Sequence, residues 1–411
     1  METIKQNAPL AGIRILDLST MLAGPFGTMM LGDLGAEIIK IETMDGDNTR
    51  NFPPYYHKGT SLYYLSFNRN KKSMVIDLKS QKGLEIFYRL VESADVVWEN
   101  YRDGVAKRLK VDYETLKKIN PSIIYCSITA YGQDNPFGSS EPTYDLCIQA
   151  MSGVLSMTGE KDRPPVKLGV PMADIGGGWY GVVGVLAALI EKKATNRGQK
   201  VDISMLDALA SLNCYEGTNY LYSKKVPERL GTAHRSLVPY QIFQTQDIYI
   251  AIVVASDKFW GKLCVALNRL DYITDERFAD LKSRHANREL VYQWLEQTLI
   301  EKPSDEWLKI LKKEGVPCAP VNPMDKALQE PALLQREMIV EIDHKGEAVQ
   351  LIGNPIKLSN NQPQRYDCPP ELGENTRQVL SEILELTDDE IDSLIAARAV
   401  LAYEEQENDR A

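Results

Sequence analysis

The first half of the chain alternates strand-like and helix-like segments, and this alternation constrains the fold more than any other feature. The strand-like segments are apolar and mostly β-branched, namely GIRILDLS, AEIIKIE, SMVIDL, ADVVWEN, SIIYCSITAYG and KVDISM. Helical patterns lie between them, among them PFGTMMLGDLG, QKGLEIFYRLVES, YETLKKIN and a long apolar run over 176–193. Strands that alternate with helices form parallel sheets with helices on both faces. The sequence therefore predicts an α/β fold with a doubly wound, Rossmann-like sheet.

The pattern changes near Lys225. Two short strands, QIFQT and IYIAIVVA, are separated by a hairpin-length connection at Gln246 and Asp247. Three helical segments follow, and GVPCAPV is typical of another strand that leads into a helix. This region predicts a smaller α+β domain over residues 226–335.

The last part of the chain returns to a different pattern. MIVEIDHKGEAVQLIG predicts a β-hairpin that turns at Lys345 and Gly346, and a Pro-rich linker with two helices follows it. We therefore expect residues 1–225 and 336–411 to form one large Rossmann-like domain and residues 226–335 to form the small one.

Charge and composition exclude several classes of protein. The formal net charge of -10 disfavours a nucleic-acid binder, although an acidic surface still allows a local basic pocket for an anion. The segment METIKQNAPLAG lacks the features of a secretory signal, and the longest apolar run, GVVGVLAALI, is too short for a membrane span. Six cysteines lack CxxC or Cys/His spacing, which is typical of free thiols and gives no metal site. We expect a cytoplasmic protein with no nucleic-acid or membrane partner.

Asp174 is the most prominent candidate for chemistry. It lies in PPVKLGVPMADIGGG, between an extended Pro-rich segment and the start of a predicted helix. Amides at a helix N-terminus favour an ionised carboxylate, and Gly176, Gly177 and Gly178 leave room for a bulky ligand. An exposed carboxylate in this setting is a candidate nucleophile. An aspartate that only caps a helix has the same local pattern, so these residues leave both interpretations open.

The first strand-to-helix turn is where an open α/β sheet commonly binds a ligand. Here it reads STMLAGPFGTMMLGDLG, which lacks both G-x-G-x-x-G and the P-loop pattern. A nicotinamide or flavin enzyme is therefore weakly supported. Ala23, Gly24 and Pro25 form either a tight ligand-binding turn or a plain connection. Asn100 directly follows the strand ADVVWE, so we expect it at the carboxyl end of that strand.

Basic residues are concentrated in FNRNKKS, at Lys79 and in ENYRDGVAKRLK. Such residues bind phosphate groups, although most charge runs are solvated faces. The chain has no G-x-S-x-G nucleophile elbow and only four histidines, which disfavours hydrolysis by a catalytic triad. An enzyme of this composition must use carboxylates, backbone amides and the groups of its own substrate.

Several longer motifs together identify a family resemblance. They are ILDLSTMLAGPFGTMMLGDLGAEIIKIE, SLYYLSFNRNKKSMVIDLKS, ADVVWENYRDGVAKRL, NPSIIYCSITAYGQ, YDLCIQAMSGVLSMTG, PPVKLGVPMADIGGG and GNPIKLS. On these segments the chain resembles the class III CoA-transferases, which include formyl-CoA:oxalate and carnitine CoA-transferases, and it is most similar to the oxalate- and formate-handling branch. The resemblance runs over essentially the whole chain.

The resemblance implies a covalent mechanism. The family nucleophile is the aspartate of the PVKxGVPxxD segment, which is Asp174 here. It implies an acyl-CoA donor, a small mono- or dicarboxylate acceptor such as oxalate, formate or succinate, and aspartyl anhydride and aspartyl-CoA thioester intermediates. Backbone amides near Gly176, Gly177 and Gly178 are expected to stabilise the oxyanions. Coenzyme A enters as a thioester substrate, and neither a permanently bound cofactor nor a metal is implied.

The resemblance also assigns binding residues. By position it places coenzyme A contacts at Met21, Leu22, Ala23, Lys79, Asn100, Tyr101 and Arg108, and an acidic supporting residue at Asp145. Two positions depart from the formyl-CoA transferase pattern. Leu22 replaces a glutamine near the anhydride, which weakens the case for formate or oxalate, and Thr43 replaces an arginine near the adenine.

The resemblance implies an interlocked dimer, most simply a homodimer, although heteromers occur in the family. Three alternatives stay open on the sequence. An α-methylacyl-CoA racemase needs a histidine where this chain has Tyr144, a non-catalytic subunit would not need Asp174, and an NAD(P) enzyme would need the missing glycine pattern. His234 and Arg235, in GTAHRSLVPY, either meet an acidic acceptor or form a surface turn.

Overall fold

The computed structural model describes residues 8–135, 143–360 and 366–403. In that part of the chain two compact units are found. The first unit comprises Met1–Val154, Leu168–Asn219 and Ala332–Ala411, and the second comprises Leu155–Lys167 and Tyr220–Pro331. The sequence boundaries near 225 and 335 differ from these by a few residues. They also assigned residues 155–167 to the large domain, whereas the structure groups that segment with the second unit.

Hydrogen bonds explain why residues 155–167 belong to the second unit. The guanidinium of Arg229 donates to the carbonyl oxygens of Glu160 and Arg163 at 3.3 and 2.8 Å. The amide of Gly231 donates to the carbonyl of Gly159 at 3.0 Å. These partners are about seventy residues apart in the chain, so no local pattern in the sequence predicts them.

The strands are numbered in chain order. They are β1 (Arg14–Asp17), β2 (Glu37–Glu42), β3 (Tyr56–His57), β4 (Thr60–Ser61), β5 (Lys71–Ile76), β6 (Val96–Glu99), β7 (Ile124–Thr129), β8 (Lys200–Ser204), β9 (Tyr240–Gln244), β10 (Tyr249–Val253), β11 (Cys318–Pro320), β12 (Ile339–His344), β13 (Glu347–Ile352) and β14 (Val400–Leu401). All six strands predicted in the first half of the chain are confirmed. The short strands β3, β4 and β14 have no clear sequence pattern.

The helices are numbered in the same way, and a 3₁₀ turn covers Asn48–Asn51. They are α1 (Ala23–Asp33), α2 (Leu62–Phe67), α3 (Gln81–Glu92), α4 (Val105–Arg108), α5 (Tyr113–Leu116), α6 (Asp145–Met151), α7 (Val154–Met157), α8 (Met172–Thr195), α9 (Met205–Leu212), α10 (Cys214–Ser223), α11 (Asp257–Ala266), α12 (Asp271–Thr274), α13 (Leu281–Ala286), α14 (Arg288–Leu299), α15 (Ser304–Lys313), α16 (Met324–Ala327), α17 (Pro331–Gln335), α18 (Thr376–Leu384) and α19 (Asp388–Ala396).

The first unit is built on a seven-stranded sheet with the order β14-β5-β2-β1-β6-β7-β8. Strands β5, β2, β1, β6, β7 and β8 are parallel, and β14 adds an antiparallel edge beside β5. The six parallel strands therefore have the 3-2-1-4-5-6 order of dinucleotide-binding Rossmann folds. The prediction of a doubly wound parallel sheet is confirmed.

This strand order creates a topological switch point between β1 and β6. The chain leaves β1 toward β2 on one side, whereas β6 leads to β7 on the other. Open α/β sheets bind ligands in the crevice beyond the carboxyl ends of such strands. In this protein Asp17 ends β1 and Glu99 ends β6. The residues that follow them are therefore the first place to search for a site.

Helix α8 is the central helix of the first unit, and it packs closely against α1. A Cβ atom at Gly178 would lie 2.7 Å from the carbonyl oxygen of Ala23, and one at Gly181 would lie 2.6 Å from the Trp98 ring. The backbones of α1 and α8 can approach this closely because Gly178 lacks a side chain, and Gly181 in the same way lets α8 lie against the Trp98 ring of β6. Glycine at these positions thus brings the N-terminal turn of α8 close to the β1–α1 loop.

Helix α8 also corrects two expectations. It begins at Met172 rather than at residue 176, so the three glycines lie inside the helix. The helix has 24 residues and contains an 18-residue apolar window with a mean hydropathy of 1.5, so it is long and apolar enough to cross a membrane, which the sequence pattern did not suggest. A core helix meets the same criteria, and 44% of this apolar window is buried inside the protein.

The second unit has a three-stranded antiparallel sheet, β11-β10-β9, covered by helices α11 to α15. The connection between β9 and β10 is a four-residue turn stabilised by Asp247, which accepts hydrogen bonds from the Ser304 amide at 2.7 Å and from the Thr245 hydroxyl at 2.8 Å. Its core is rich in aromatic rings, including Trp260 and Trp294. The α+β character predicted for this region is thus present.

The basic segment FNRNKKS has a structural role that neither sequence interpretation anticipated. Arg69 and Lys71 are buried and form ion pairs with Asp33 at 2.7 Å and with Asp17 at 3.0 Å. Lys72 is half-buried and pairs with Glu37 at 2.7 Å. These side chains are therefore neither a solvated face nor free to bind a phosphate, because their charges are already compensated by carboxylates.

Candidate active site

Asp174 is the third residue of α8 and is partly buried. The N-cap position is held by Pro171, so the interpretation of Asp174 as an N-cap residue is wrong. Its carboxylate accepts no hydrogen bond from the part of the chain that the structure describes, and its own amide has no acceptor there. A carboxylate with few donors around it is weakly solvated, which makes it a better nucleophile than a carboxylate in water.

Asp145 supports the first turn of the same helix. It is the first residue of α6, and its carboxylate accepts a hydrogen bond from the Ala173 amide at 2.8 Å and from the Gln149 side chain at 2.6 Å. The other end of the Gln149 amide group accepts from the Leu168 amide at 3.0 Å. Asp145 and Gln149 thus bind the N-terminus of α8 and the extended segment before it to helix α6.

The two carboxylates influence each other electrostatically. Burial, together with the nearby charge of Asp145, raises the pKa of Asp174 to about 7. Both effects disfavour the charged form of Asp174, and no cation among the described residues offsets them by lowering the pKa. Strongly shifted acids cluster at functional sites, where the shift matches the group to its chemical task. Asp174 therefore has the raised pKa that is expected of a reactive carboxylate.

Tyr63 is a site residue that sequence reasoning missed. It lies in α2, which begins after Ser61, whose hydroxyl accepts from the Tyr63 amide at 3.1 Å. Burial and the charges of Asp174, Asp47 and Asp145, in that order, raise the pKa of its phenol to about 12. The hydroxyl therefore stays protonated near neutral pH and remains a hydrogen-bond donor. Nothing in the segment SLYYLSF distinguishes Tyr63 from the neighbouring Tyr64, so the sequence carried no clear signal for its role.

The three glycines after Asp174 pack against neighbouring elements. Amides inside an α-helix donate to carbonyls four residues earlier, so the Gly176, Gly177 and Gly178 amides are used within α8. A Cβ at Gly177 would lie 3.1 Å from both Ile128 and Met205. Stabilisation of an oxyanion by the amides of the three glycines stays a prediction. The helix geometry favours a packing role for these glycines instead. The Asp174 amide is a better candidate for stabilising an oxyanion, because it has no acceptor in the part of the chain that the structure describes.

The β1–α1 loop contains three of the residues assigned to coenzyme A. Met21 has a φ of 68°, Leu22 is buried at 3% exposure, and Ala23 is the first residue of α1. The buried position of Leu22 means that it contacts the protein interior rather than solvent. This loop follows β1 and therefore lies at the switch point of the sheet.

Asn100 binds this same loop across the switch point. Its side-chain oxygen accepts from the Thr20 amide at 2.9 Å, and its side-chain nitrogen donates to the Thr20 carbonyl at 2.8 Å. The prediction that Asn100 lies at the carboxyl end of a strand is confirmed, since it follows β6 directly. The residue connects the two loops on either side of the crevice.

Glu99 fixes the backbone of the next residue, Tyr101. Its buried carboxylate accepts from the Tyr101 amide at 2.6 Å and from the Gln133 side chain at 3.1 Å. Burial raises the pKa of Glu99 to about 7. The ring of Tyr101 packs against the main apolar cluster of the sheet. The sequence did not suggest Glu99, because an acidic residue that ends a strand is normally exposed.

Lys79 and Arg108 line one common pocket of about 210 Å³. Lys110 and the N-terminal turn of α3 line it too. Within the described residues the side chains of these three cations have no hydrogen-bond or ion-pair partner. Free cations beside a helix N-terminus bind phosphate groups well. The sequence did not single out Lys110.

The predicted residues fall into three groups in the structure. Asp174 and Asp145 are brought together at the start of α8, and Asn100 meets the β1–α1 loop that holds Met21, Leu22 and Ala23. Lys79 and Arg108 share a pocket whose lining includes none of these residues. Thr43, at the position of the family's adenine-side arginine, is exposed.

Histidines and cysteines take no part in the groups described above. His57 and His344 contact each other, with their Nδ1 atoms 2.8 Å apart, and His234 accepts the Ser236 amide at 3.0 Å. His285 contacts the carbonyl of Arg235 at 2.9 Å. All six cysteines are free thiols. In the described residues no group of three or more His, Cys, Asp or Glu side chains has the arrangement of a metal site.

Comparison of the sequence with known proteins identifies the family of this chain. The profile of CoA-transferase family III matches residues 10–376. The human succinyl-CoA:glutarate CoA-transferase is 37% identical over 398 residues, which cover 96% of this chain and 91% of that protein. The acetyl-CoA:oxalate CoA-transferase of Acetobacter aceti is 37% identical over 374 residues, which cover 89% of this chain and 92% of that protein.

A solved structure agrees with the sequence comparison. The crystal structure of a CAIB/BAIF family protein from Brucella suis has a TM-score of 0.82 and 37% sequence identity to this chain, and it covers 92% of this chain and 100% of its own. The fold, the profile match and the relatives are mutually consistent. The chain belongs to CoA-transferase family III and is an enzyme of the transferase class.

Proposed function

We propose that this protein transfers coenzyme A from an acyl-CoA to a small dicarboxylate and that Asp174 is its nucleophile. The observation that carries the proposal is the environment of Asp174, a partly buried carboxylate with a raised pKa and no hydrogen-bond donor among the described residues. Similar proteins named for succinate, glutarate and oxalate support a dicarboxylate acceptor or donor. Leu22, in place of the glutamine of formyl-CoA transferase, favours an acid other than formate.

The first half of the reaction loads the enzyme. A carboxylate oxygen of Asp174 attacks the thioester carbonyl, the C–S bond breaks, and an aspartyl anhydride and CoA thiolate result. The thiolate then attacks the Asp174 carbonyl carbon, which releases the donor acid as a carboxylate and leaves an aspartyl-CoA thioester. No proton is transferred in either step, so no general base is required.

The second half repeats the same chemistry in reverse order. The acceptor carboxylate attacks the aspartyl thioester, which gives a second anhydride and CoA thiolate. The thiolate attacks the acceptor's acyl carbon and releases the new acyl-CoA and the free Asp174 carboxylate. Each anhydride is sensitive to water, so partial burial of Asp174 protects the intermediates as well as activating the nucleophile.

The negative charge that develops on the acyl oxygen needs a donor. The candidate donors are the protonated phenol of Tyr63, which is affected by the Asp174 charge, and the amide of Asp174, which has no acceptor among the described residues. Asp145 fixes the helix turn that carries Asp174 through the Ala173 amide. The negative charge of Asp145 helps to keep the pKa of Asp174 high, so the Asp174 carboxylate is more basic than an ordinary aspartate.

Coenzyme A would lie along the carboxyl edge of the sheet. The pocket lined by Lys79 and Arg108 suits its phosphates, and the loops at Met21 and Asn100 suit the pantetheine arm. The family resemblance supports an interlocked homodimer, with a heteromer as the alternative, in a cytoplasmic setting compatible with the free cysteines. No role for nucleic acid or membrane is part of the proposal.

An α-methylacyl-CoA racemase is the nearest alternative within the fold. It requires a histidine that acts with a carboxylate on the α-proton. The position expected for that histidine holds Tyr144, and all four histidines contact groups other than Asp174. The side chains therefore favour transferase chemistry.

The rate of Asp174 loading should depend on pH through the state of this carboxylate. The attacking form is ionised, and the pKa of Asp174 is raised to about 7. We therefore expect the single-turnover loading rate to fall about tenfold for each pH unit below about 7 and to level off above it. Rapid-quench kinetics with a fixed acyl-CoA would measure the profile. A flat profile between about pH 5 and 8 would contradict this assignment.

Neutralising the cationic pocket should weaken acyl-CoA binding. Lys79→Ala combined with Arg108→Ala removes two charges that have no ion-pair partner among the described residues and that line the same pocket. Each charged hydrogen bond contributes about 1.5–3 kcal/mol, so KM for acyl-CoA should rise at least about tenfold, with kcat nearly unchanged. Lys82→Ala is the matched control, because Lys82 is an exposed neighbour outside the pocket. Equal KM values for the double variant and the control would exclude this pocket as the phosphate site.

Covalent loading is the direct test of the proposed function. Intact-protein mass spectrometry after mixing with succinyl-, glutaryl-, oxalyl-, formyl- or acetyl-CoA should detect an acyl or CoA adduct. Hydroxylamine trapping and peptide mapping should locate it on the peptide that contains Asp174. The donor that loads fastest identifies one half of the substrate pair. Binding of CoA without any adduct would argue against the transferase mechanism, and α-proton exchange would then be measured.

A further inference from the structure

Side chains hold five backbone groups of the loop over residues 19–21, which follows β1 at the switch point of the sheet. These contacts come from different elements of the first unit and leave the loop little freedom. In loop order they are Asp17 with the Ser19 amide at 3.0 Å, Lys40 with the Ser19 carbonyl at 2.8 Å, Asn100 with the Thr20 amide at 2.9 Å and with the Thr20 carbonyl at 2.8 Å, and Asp47 with the Met21 amide at 3.4 Å.

Two of these residues form a fully buried ion pair with each other. The Nζ atom of Lys40 lies 2.9 Å from Oδ2 of Asp47, and both side chains have 0% exposure. Lys40 therefore binds the carbonyl at one end of the loop while Asp47 binds the amide at the other end. Removing two charges from water is costly, and such a pair seldom adds stability beyond that of an apolar pair. Its position is better explained by the geometry that it imposes on the loop.

The orientation of Asp47 is itself determined by several donors. Its Oδ1 atom accepts from the Thr49 amide at 3.0 Å and from the Thr49 hydroxyl at 2.8 Å. The Asp47 amide donates to the buried carboxylate of Glu42 at 2.9 Å. With Lys40 on Oδ2 and backbone amides on Oδ1, both oxygens are used. A carboxylate accepts at both oxygens, whereas a side-chain amide accepts at only one.

The ion pair is also electrostatically connected to the reacting groups. The charge of Asp47 acts on the Tyr63 phenol together with the charges of Asp174 and Asp145. The loop that Asp47 and Lys40 hold continues directly into α1, whose first residue, Ala23, approaches Gly178 of α8. A displacement of the loop would therefore affect two things at once. It would move the thioester that the loop is proposed to bind, and it would disturb the packing of α1 against α8, the helix that carries Asp174.

We propose that the Lys40–Asp47 pair positions the acyl-CoA thioester for attack by Asp174 by holding the backbone of residues 19–21. This inference rests on the proposed function, because it assigns the loop to acyl-CoA. Neither residue touches the reacting atoms, so both are positioning residues. Misplacing a thioester by about 1 Å can lower a reaction rate about 10²-fold, even if binding of the nucleotide part is unchanged.

The test compares two buried ion pairs of the same unit. Lys40→Met removes the ammonium that binds Ser19 and Asp47 but keeps an apolar stem in its place. Arg69→Met is the matched control, since it breaks the Arg69–Asp33 pair, which is buried to 3% and 0% exposure and makes no contact with residues 19–21. Both variants are characterised by thermal unfolding, equilibrium CoA binding and the single-turnover rate of Asp174 loading by succinyl-CoA.

We expect Lys40→Met to load Asp174 about 10²-fold more slowly than wild type while its Kd for CoA changes only a few-fold. Arg69→Met should lose a comparable amount of stability but load at nearly the wild-type rate. Loading rates of the two variants within about tenfold of each other would overturn the inference, because a general loss of stability would then explain the effect.

Asp47→Asn tests the same pair from its other end and protects against a folding failure of Lys40→Met. Lys40 keeps the charges of Asp17 and Glu42 nearby, so its own charge stays compensated in this variant. An asparagine cannot accept from Lys40 and from the Met21 and Thr49 amides at once, so one side of the loop is released. A loading rate equal to that of wild type would contradict the proposal.

Wild-type loading separates this inference from the proposed function. If wild-type protein forms no adduct on Asp174 with any of the five donors, the transferase mechanism itself fails. If wild-type protein is loaded and Lys40→Met or Asp47→Asn is loaded as fast as wild type, only the positioning role fails. Slow loading with nearly unchanged Kd in both Lys40→Met and Asp47→Asn, with Arg69→Met loaded at nearly the wild-type rate, supports the inference.

Discussion

Replacing Asp174 by alanine is expected to lower CoA-transfer turnover at least about 10⁴-fold, because the proposed covalent pathway loses its nucleophile. The fold and CoA binding should persist, since the Asp174 side chain holds no other described residue by a hydrogen bond. Steady-state transfer from succinyl-CoA to glutarate or oxalate and equilibrium CoA binding would measure the two effects. Substantial residual transfer by Asp174→Ala would remove the nucleophile from the mechanism.

Asp207→Ala provides a matched control for this prediction. Asp207 is the third residue of α9, just as Asp174 is the third residue of α8, but it is exposed. Both aspartates lie in the first turn of a helix and interact with its dipole in the same way. Activity close to that of wild type in Asp207→Ala would show that the loss in Asp174→Ala reflects chemistry rather than a general helix-end effect.

Asp174→Asn should also show that this carboxylate destabilises the folded protein. Its pKa is near 3.8 in an unfolded chain and about 7 in the fold. Between these values the unfolded state releases a proton that the folded state retains, so stability falls as pH rises from about 4 to 7. The variant should therefore unfold at a higher temperature than wild type at about pH 8, and the difference should vanish below about pH 4. Thermal unfolding at several pH values would measure it.

Gly178→Ala is expected to destabilise the first unit by about 1–3 kcal/mol. A Cβ at this position would lie 2.7 Å from the carbonyl oxygen of Ala23 and 3.0 Å from the Phe26 ring. A backbone oxygen cannot turn aside as a flexible side chain can, so α1 and α8 must move apart. Because α1 follows the β1–α1 loop, we expect the loading rate of Asp174 to fall as well. Denaturant unfolding and rapid-quench kinetics would measure the two effects.

Gly176→Ala should have the opposite effect on stability. A Cβ there would meet Leu212 at 3.6 Å and Ala208 at 3.8 Å, which are ordinary contact distances. Alanine in a helix interior is more stable than glycine by about 0.5–1 kcal/mol, so this variant should be more stable than wild type. If both variants lost similar stability, close packing of α1 against α8 would not be the reason for the glycine at position 178.

Much of the fold was predictable because it depends on local patterns. Alternating β-branched and helical segments predicted the parallel sheet, and the turn at Lys345 and Gly346 is confirmed between β12 and β13. Both turn residues have positive φ, which is the backbone geometry of tight hairpins. The two-residue strand β14 was missed because pairing with β5, rather than its own sequence, makes Val400 and Leu401 a strand.

The candidate site was predicted less evenly. Asp174, Asn100 and Lys79 were accessible to sequence reasoning because each follows a strand or begins a helix. Tyr63 and Glu99 were not, because their roles depend on contacts with residues far away in the chain. Gln149 left a weak signal, four residues after Asp145 on one helix face, where an amide can reach a carboxylate.

The sequence by itself determined the parallel sheet, the strands whose carboxyl ends form the crevice, and the motifs of CoA-transferase family III. The sheet and its strands follow from periodicity and residue type within short windows, whereas the family was identified through the resemblance of longer motifs. Tertiary structure alone decided which charges are buried, as for Lys71 beside Asp17, and which carboxylate has no hydrogen-bond donor among the described residues, as for Asp174. Burial and electrostatic environment are set by residues that come together only in the folded chain, so local sequence cannot specify the pKa on which the chemistry depends.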